Sequence, residues 1–258
     1  MRLGTYNVLG LTGYPASAAR TELRGASSPE TAAHFTSVFR SLDCDVLALQ
    51  EGVGAPQMQR IARELGNGLV TMPSPQAWPG HVLTRYPILE SRTYSHMAPG
   101  APLEPFSRCA GEVLLLLPNA ESLCLVVVHM HPSDQHMRDA EADLLHEKLP
   151  ELLTLATHMA VVGDFNCRTD ERLHEVLHMH DFVNAMEHAG GGVHATMDTA
   201  GIEPQFIDHI YLSASLIPYT KNARVVRDEG FRHDAPLPVG KWVHSDHLPV
   251  VVELDLPE

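Results

Sequence analysis

The stretch MAVVGDFNCRTD, residues 159–170, runs from an apolar segment straight into polar side chains. Val161 and Val162 read as a buried strand, and Gly163 lets the backbone approach something closely. Asp164 and Asn166 are two apart, so on an extended chain they point to one face. The same pattern recurs along the sequence. TYN ends in Asn7, LQE in Glu51 and VVVH in His129. FIDHIYLS sets Asp208 in an apolar strand, and Ser245, Asp246 and His247 precede the last apolar run. Each has an ordinary explanation alone: an Asx-turn, a solvated strand end, one of 17 histidines. A carboxylate within a buried strand, as at Asp208, nevertheless requires a partner. Six such coincidences are a poor explanation.

These residue types suit metal-assisted hydrolysis of a phosphate ester. Asn7, Glu51 and Asp246 offer oxygen ligands, and Mg²⁺ prefers one or two carboxylates plus water; Mn²⁺ is the alternative ion. Asp164 and Asn166 can hold and polarise an attacking water. His129 and His247 can donate to phosphoryl oxygens. A buried Asp208 would fix the tautomer and orientation of His247.

The elements that must position these groups are many strands mixed with a few helices. Strands are expected at 2–10, 44–51, 81–84, 88–95, 108–117, 122–129, 159–163, 206–212, 222–228 and 248–254. Helices are expected at 27–42, 56–65, 133–149 and 170–180. Ser28 can cap the first of these, with Pro29 at its first helical position. Phe35, Val38, Phe39 and Leu42 then form one apolar stripe. Ser133 or Asp134 caps the third helix, which Pro150 breaks or kinks. Several strands follow each other directly, so hairpins are expected and strict βαβ alternation is not. The class is α/β (α+β), with two mixed sheets and helices outside.

The chain has 258 residues, 44% of them hydrophobic, which suffices for one large core. No linker, repeat or low-complexity tract divides it. Stretches 9–29, 71–80, 96–106 and 230–244 read as loops on one scaffold, so a single domain over 1–258 is expected. The net charge of −14 lacks the basic balance of a general duplex-DNA binder. It does not argue against a phosphate substrate, because a divalent cation can supply local positive charge. Four scattered cysteines without CxxC spacing argue against a disulfide framework or a cysteine zinc site. No run resembles a signal peptide or a membrane span, so a cytoplasmic, monomeric protein is expected.

In order along the chain, TYNV, LQE, GHVLTRYPI, VVVHMHP, GDFN, IDHIYLS and SDHLPV resemble the motifs of the endonuclease/exonuclease/phosphatase superfamily. One GDFN is a weak signal; the ordered set is specific. The resemblance spans Asn7 to His247. It implies a four-layer, DNase I-like α/β sandwich with the site where two sheets meet. It also implies metal-site roles for Asn7, Glu51 and Asp246, and a water-activating, phosphate-orienting pair in Asp164 and Asn166. Asp208 and His247 become a carboxylate–imidazole pair. His129 is similar to the catalytic histidine of the DNase I branch, where exonuclease III-type enzymes place a tyrosine. The chain departs from the pattern at His81, where many relatives have Asn, and at Val128, where the phosphatase and sphingomyelinase branches often have Thr. The lysine-rich DNA-binding character of exonuclease III-type members is missing. These departures bear on substrate rather than on chemistry.

Rival patterns fit less well. In HMHPSDQH, Asp134 lies five and His136 seven after His129, against four and five in the zinc motif of metallo-β-lactamase-fold hydrolases. GDFN does not meet the GDxH form of calcineurin-like phosphatases. A catalytically silent binding module on the same scaffold should have lost site residues, and here every one is chemically competent.

For substrate, GFRHDAPLPVGKWVH (230–244) leads into Ser-Asp-His and carries Arg232, His233, Lys241 and Trp242. It reads either as a surface loop with a packed tryptophan or as a substrate lip, with Lys241 for phosphate and Trp242 for a flat group. Arg108 could add a phosphate contact, and Trp78 is a weaker candidate for the opposite wall. A compact phosphate ester or single-stranded nucleic-acid end is expected over a long duplex. The first reading is a phosphodiesterase or nuclease. The alternative is a phosphomonoesterase acting on a small metabolite or lipid headgroup.

Overall fold

A computed structural model describes residues 1–95 and 106–257. The chain forms β1 (Arg2–Asn7), α1 (Ala16–Leu23), α2 (Pro29–Leu42), β2 (Val46–Gln50), α3 (Ala55–Leu65), β3 (Gly68–Met72) and β4 (Gly80–Thr84). Next come β5 (Ile88–Thr93), β6 (Cys109–Leu116), β7 (Ser122–His129), α4 (Gln135–Leu152) and β8 (His158–Asp164). The remainder is α5 (Arg172–Met179), β9 (Val183–Asn184), α6 (Ala185–Ala189), β10 (Asp208–Leu212), β11 (Thr220–Val225) and β12 (Val250–Leu254).

The strands make two mixed six-stranded sheets, ordered β11-β12-β1-β2-β4-β3 and β5-β6-β7-β8-β10-β9. The apolar residues of the facing sheets belong to one large core, with Leu3, Val46 and Ala48 turned inward from the first sheet and Leu125, Val127 and Val162 from the second. The alternate residues of the second sheet, Val126, Val128 and Val161, pack beneath α4 and α5 with Leu145, Leu149 and Leu177. This two-sided burial is why the strands read as continuous apolar runs. The architecture is the expected α/β sandwich. Among the described residues no helix is long and apolar enough to cross a membrane.

Several boundaries differ from expectation. The stretch 9–29 contains α1, which begins after Pro15 without a capping side chain and buries only Ala19 and Leu23, so its amphipathic signal is weak. By contrast α2 is capped as expected, with the Ser28 hydroxyl accepting the Thr31 N–H, a contact of about 1 kcal/mol. β3 was not expected; it is a five-residue strand paired with β4. Pro150 lies inside α4, which continues to Leu152. β9 and α6 are too short to carry periodicity. Residues 96–105, most of one expected loop, lie outside the described residues.

Candidate active site

Strand register assembles one wall of the site. β7 and β8 run parallel with His129 opposite Asp164, and β10 runs antiparallel with Asp208 opposite Asp164. His129, Asp164 and Asp208 therefore stand abreast across three neighbouring strands. Asp208 is the first residue of β10 rather than an interior one, and Asp164 is the last of β8. Gly163, just before it, has φ +144°, and a Cβ there would lie 1.8 Å from the Val128 carbonyl oxygen. The close approach expected at this glycine is to the neighbouring strand.

The other wall comes from the first sheet. Asn7 closes β1 opposite Gln50 of β2, and Glu51 follows in the left-handed region at φ 51°. His81 supports that turn from behind. Its Nε2 lies 2.9 Å from the Val53 carbonyl and its Nδ1 3.0 Å from Thr71 Oγ1. The carbonyl can only accept, so Nε2 donates and Nδ1 accepts. Burial lowers the His81 pKa to about 4, so the ring is neutral and structural. Ser245 ties the last contributor in: its hydroxyl donates to the Asn7 carbonyl at 2.8 Å and accepts the His247 N–H at 3.3 Å.

The two walls meet through Asp164. Asn7 Nδ2 donates to Asp164 Oδ2 at 2.9 Å, and His129 Nε2 lies 3.7 Å from that oxygen and 3.8 Å from Glu51 Oε1. His247 reaches across, with Nε2 3.9 Å from Asp164 Oδ2 and Nδ1 2.8 Å from Asp208 Oδ2. The expected carboxylate–imidazole pair is thus present. Thr196, unforeseen in the sequence, donates its hydroxyl to the same Asp208 oxygen at 2.6 Å and accepts the Asp208 N–H at 3.1 Å. Its only sequence signal was a threonine in a loop.

Asn166 takes a left-handed φ of 49°. Its N–H donates to Asp164 Oδ1 at 3.0 Å and its Nδ2 to the Met130 carbonyl at 3.1 Å. The turn reading of GDFN holds: an Asx-type bond shapes the loop and keeps Asn166 beside Asp164, with its amide bonded to the Met130 carbonyl.

The electrostatics differ residue by residue. Burial would depress the His247 pKa, but Asp208, then Asp164 and Asp246, outweigh it and raise it to about 10. Burial, supported by Asp208, raises the Asp164 carboxyl, while His247 and Asn7 oppose the shift. Burial, with Arg108 and His247 adding to it, holds His129 neutral with a pKa of about 3. Glu51 is raised by burial, with His247, Asn7 and Arg108 opposing. A carboxyl pushed toward neutrality beside a cationic imidazole can take a proton from water.

The fit to a divalent cation rests on the donor set and on unused atoms. Glu51, Asp164, Asp208 and Asp246 share this cleft, and none of them pairs with a lysine or arginine within ion-pair distance among the described residues. His129 Nδ1 and Asp208 Oδ1 are buried without a partner. Asp164, Asp208 and His247 bring one ligand atom each within 4.8 Å of one another. There, Asp208 Oδ2 and His247 Nδ1 already bond each other. Glu51, Asp246 and the Asn7 amide are oxygen donors of the kind Mg²⁺ favours, the Asn7 oxygen also accepting the Leu9 N–H at 3.1 Å. The residues present fit a hard cation.

The candidate substrate residues divide. Arg108, one residue before β6, influences both His129 and Glu51, and its guanidinium lies 5.0 Å from the centroid of Trp78. Arg108 and Trp78 thus form one unit at the cleft. The 230–244 segment behaves differently. Arg232 pairs with Asp198 at 2.9 Å and with Asp234, and His233 Nδ1 bonds the Ala235 carbonyl. Trp242 packs on the core against Gly13, with its ring centroid 4.9 Å from that of His34. Lys241 is exposed. The tryptophan is packed as in the ordinary-loop reading, and Arg232 and His233 are engaged within their own surroundings. A cavity of about 640 Å³, walled by Cys167–Asp170 and Pro204–Ile207, opens where the ends of β8 and β10 diverge.

The Endonuclease/Exonuclease/phosphatase family model matches residues 4–247. No curated protein matches the sequence. Among solved structures, the chain is similar to the mannosyl-6-phosphatase of Bacteroides thetaiotaomicron VPI-5482, with 19% identity over 98% of this chain and 99% of that one, at a TM-score of 0.75. It is similar to truncated TDP2 of Caenorhabditis elegans, with 15% identity over 99% and 97% of the two chains and a TM-score of 0.70. TDP2 of D. rerio, complexed with a single-strand DNA product, gives 17% identity over 98% and 97%, and 0.69. At such identities these likenesses speak for the fold, and the family match covers nearly the whole sequence. The chain belongs to the endonuclease/exonuclease/phosphatase family, hydrolases that act on phosphate esters.

Proposed function

We propose that this protein is a divalent-metal-dependent phosphoesterase that hydrolyses a phosphate ester by in-line attack of an activated water. The observation that carries the reading is the meeting of Asn7, Asp164, His129 and the His247–Asp208 pair in one cleft, with Glu51 3.8 Å from His129. Glu51, Asp246 and Asn7 would hold the metal, whose role is to neutralise developing charge on the phosphoryl group. Asp164 accepts the proton of the attacking water, and Asn166 fixes the loop that presents it. His247, cationic and held by Asp208, donates to a phosphoryl oxygen. His129, neutral with both ring nitrogens free of close hydrogen bonds, offers a second N–H.

Arg108 is assigned as the phosphate contact beyond the metal, with Trp78 as the flat surface beside it and Lys241 as an outlying cation. Trp242 contributes less, because its ring is committed to the core. One arginine–tryptophan unit in a protein of charge −14 supports a compact substrate or a single-stranded end. The solved TDP2 complex with single-strand DNA favours the diester or nucleic-acid-end reading. The mannosyl-6-phosphatase likeness favours a second reading, a phosphomonoesterase on a small phosphorylated metabolite.

A panel of DNA, RNA, cyclic dinucleotide, sugar phosphate and phospholipid, each with Mg²⁺ or Mn²⁺, tests both readings. Hydrolysis of at least one, abolished by chelator and restored by metal, is expected. Turnover unaffected by exhaustive EDTA treatment would refute the metal-dependent mechanism. A steep fall in duplex-DNA cleavage with salt would instead reveal an extended DNA-binding face.

A further inference from the structure

The buried face of α4 changes character along its length. Its later turns bury Ala142, Leu145, Leu149 and Leu152, as a helix packed on a sheet should. Its first turns bury Arg138 and Glu141 instead, at 9% and 4% exposure. Buried charges are costly, and apolar residues of similar volume often serve stability better. Their partners explain their presence.

Glu141 accepts two backbone N–H groups from separate loops: Ser107 on Oε1 at 2.7 Å and His131 on Oε2 at 3.1 Å. Arg138 donates Nη1 to the His131 carbonyl at 3.2 Å and both Nε and Nη2 to Glu171 Oε2, at 2.9 and 2.7 Å. Glu171 in turn accepts the Arg168 N–H at 3.0 Å. Each contacted backbone position lies within two residues of a group in the site. Ser107 precedes Arg108, His131 follows His129 by two, and Arg168 follows Asn166 by two. The 130–131 segment closes the circuit, because Met130 bonds both Asp164 and Asn166 through its backbone.

We propose that Glu141 and Arg138 are positioning residues, a charged brace on α4 that sets the spacing of the three loops next to Arg108, His129 and Asn166. Neither touches the cleft. They act on turnover by holding backbone, and a shift of about 1 Å in such groups can cost about 10²-fold in rate. The kinetic consequence rests on the phosphoesterase reading; the structural one does not.

The test compares Glu141→Ala and Glu141→Gln, in the wild-type and His129→Ala backgrounds. Two readouts are used: kcat and KM on an activated phosphodiester with Mg²⁺, and amide hydrogen exchange resolved by segment. Glu141→Ala should lower kcat about 10²-fold. Glu141→Gln, whose single carbonyl oxygen can still accept one loop, should lie between it and wild type. In the His129→Ala background the Glu141→Ala loss should shrink, because residues acting through a shared partner are not additive. Exchange should quicken at 106–110 and 129–133 and stay unchanged in β1 and β2. Equal losses in both backgrounds, or exchange quickened across both sheets, would make Glu141 a residue of general stability and overturn the proposal. If Glu141→Ala does not fold, Glu141→Gln decides, and wild-type exchange at both loops would overturn it. If no phosphodiester and no phosphomonoester is turned over by the wild type, the phosphoesterase reading loses its support while exchange alone still decides the brace.

Discussion

From the first sheet the cleft receives Asn7, Glu51 and, through the segment leading into β12, Asp246; from the second it receives His129, Asp164 and Asp208. Asn7 and Glu51 sit at or just past strand ends, and Asp246 lies in the segment before β12. The Glu51 side chain keeps 17% exposure, and its Oε1 lies 3.8 Å from the neutral His129 Nε2. The second set stands in strand register, with Asp164 and Asp208 fully buried and bonded to neighbours. His247 belongs to the first sheet by sequence but is bound to the second by Asp208. On the proposed reading, the first wall would accept an exchangeable hard cation and the second would hold protons and charge in fixed places. Two packed sheets can meet in this way because each brings a row of strand ends to the same edge.

The largest effect should follow from breaking the second wall. Asp164→Asn is expected to lower kcat by about 10²–10⁴-fold, with His247→Ala of similar size. Asp208→Asn should resemble the histidine variant, because the imidazole loses the carboxylate that raises its pKa and fixes its ring. Circular dichroism should show all three folded. Near-full turnover by Asp164→Asn at saturating metal would show that the proton-handling role lies elsewhere.

A smaller and different effect should follow from the first wall. Glu51→Gln should raise the Mg²⁺ concentration needed for half-maximal activity, with much of kcat recovered at saturation. A metal titration of activity separates the cases. If Glu51→Gln lost kcat without any change in metal requirement, the two walls would not divide the work as described.

The smallest effect sharpens the contrast within the second sheet. His209 is as buried as His247, yet its pKa is lowered to about 3, first by burial and then by His174. Its partners are neutral: Asn184 Nδ2 at 3.2 Å and the Phe206 carbonyl at 2.9 Å. A histidine held neutral in the fold contributes fully above its ordinary value near 6.5. That contribution is lost as pH falls from 6.5 toward 3, because the unfolded chain binds the proton first. Denaturant midpoints should therefore fall between pH 6.5 and 4, and His209→Asn should flatten the decline. An unchanged slope would assign the acid sensitivity to other groups.

The same residues mark how far the sequence could be read. Asn7, Glu51, His129, Asp164, Asp208 and His247 were visible because a polar side chain ending an apolar run costs free energy unless it has work or a partner. Arg138 and Glu141 were invisible, because on a helix their spacing looks like an ordinary solvated face. Thr196 was invisible because a loop threonine signals nothing until Asp208 is beside it. Trp242 was visible as an aromatic near the Ser-Asp-His motif, but only its contacts with Gly13 and His34 showed where its ring is committed. Arg232 looked like a free cation until Asp198, 34 residues earlier, met it.

The sequence by itself determined the class of fold, the two-sided burial of the central strands, the capped helix α2 and the identities of the polar strand-end groups, since these rest on local patterns of apolar and polar residues. Only the tertiary structure decided that His129, Asp164 and Asp208 stand in one row and that His247 crosses from the other sheet to meet them. The physical reason is register. Pairing between strands separated by up to about 250 residues of chain, as for β1 with β12, is fixed by the packing of whole sheets, and a slip of one residue would turn these side chains to the opposite face.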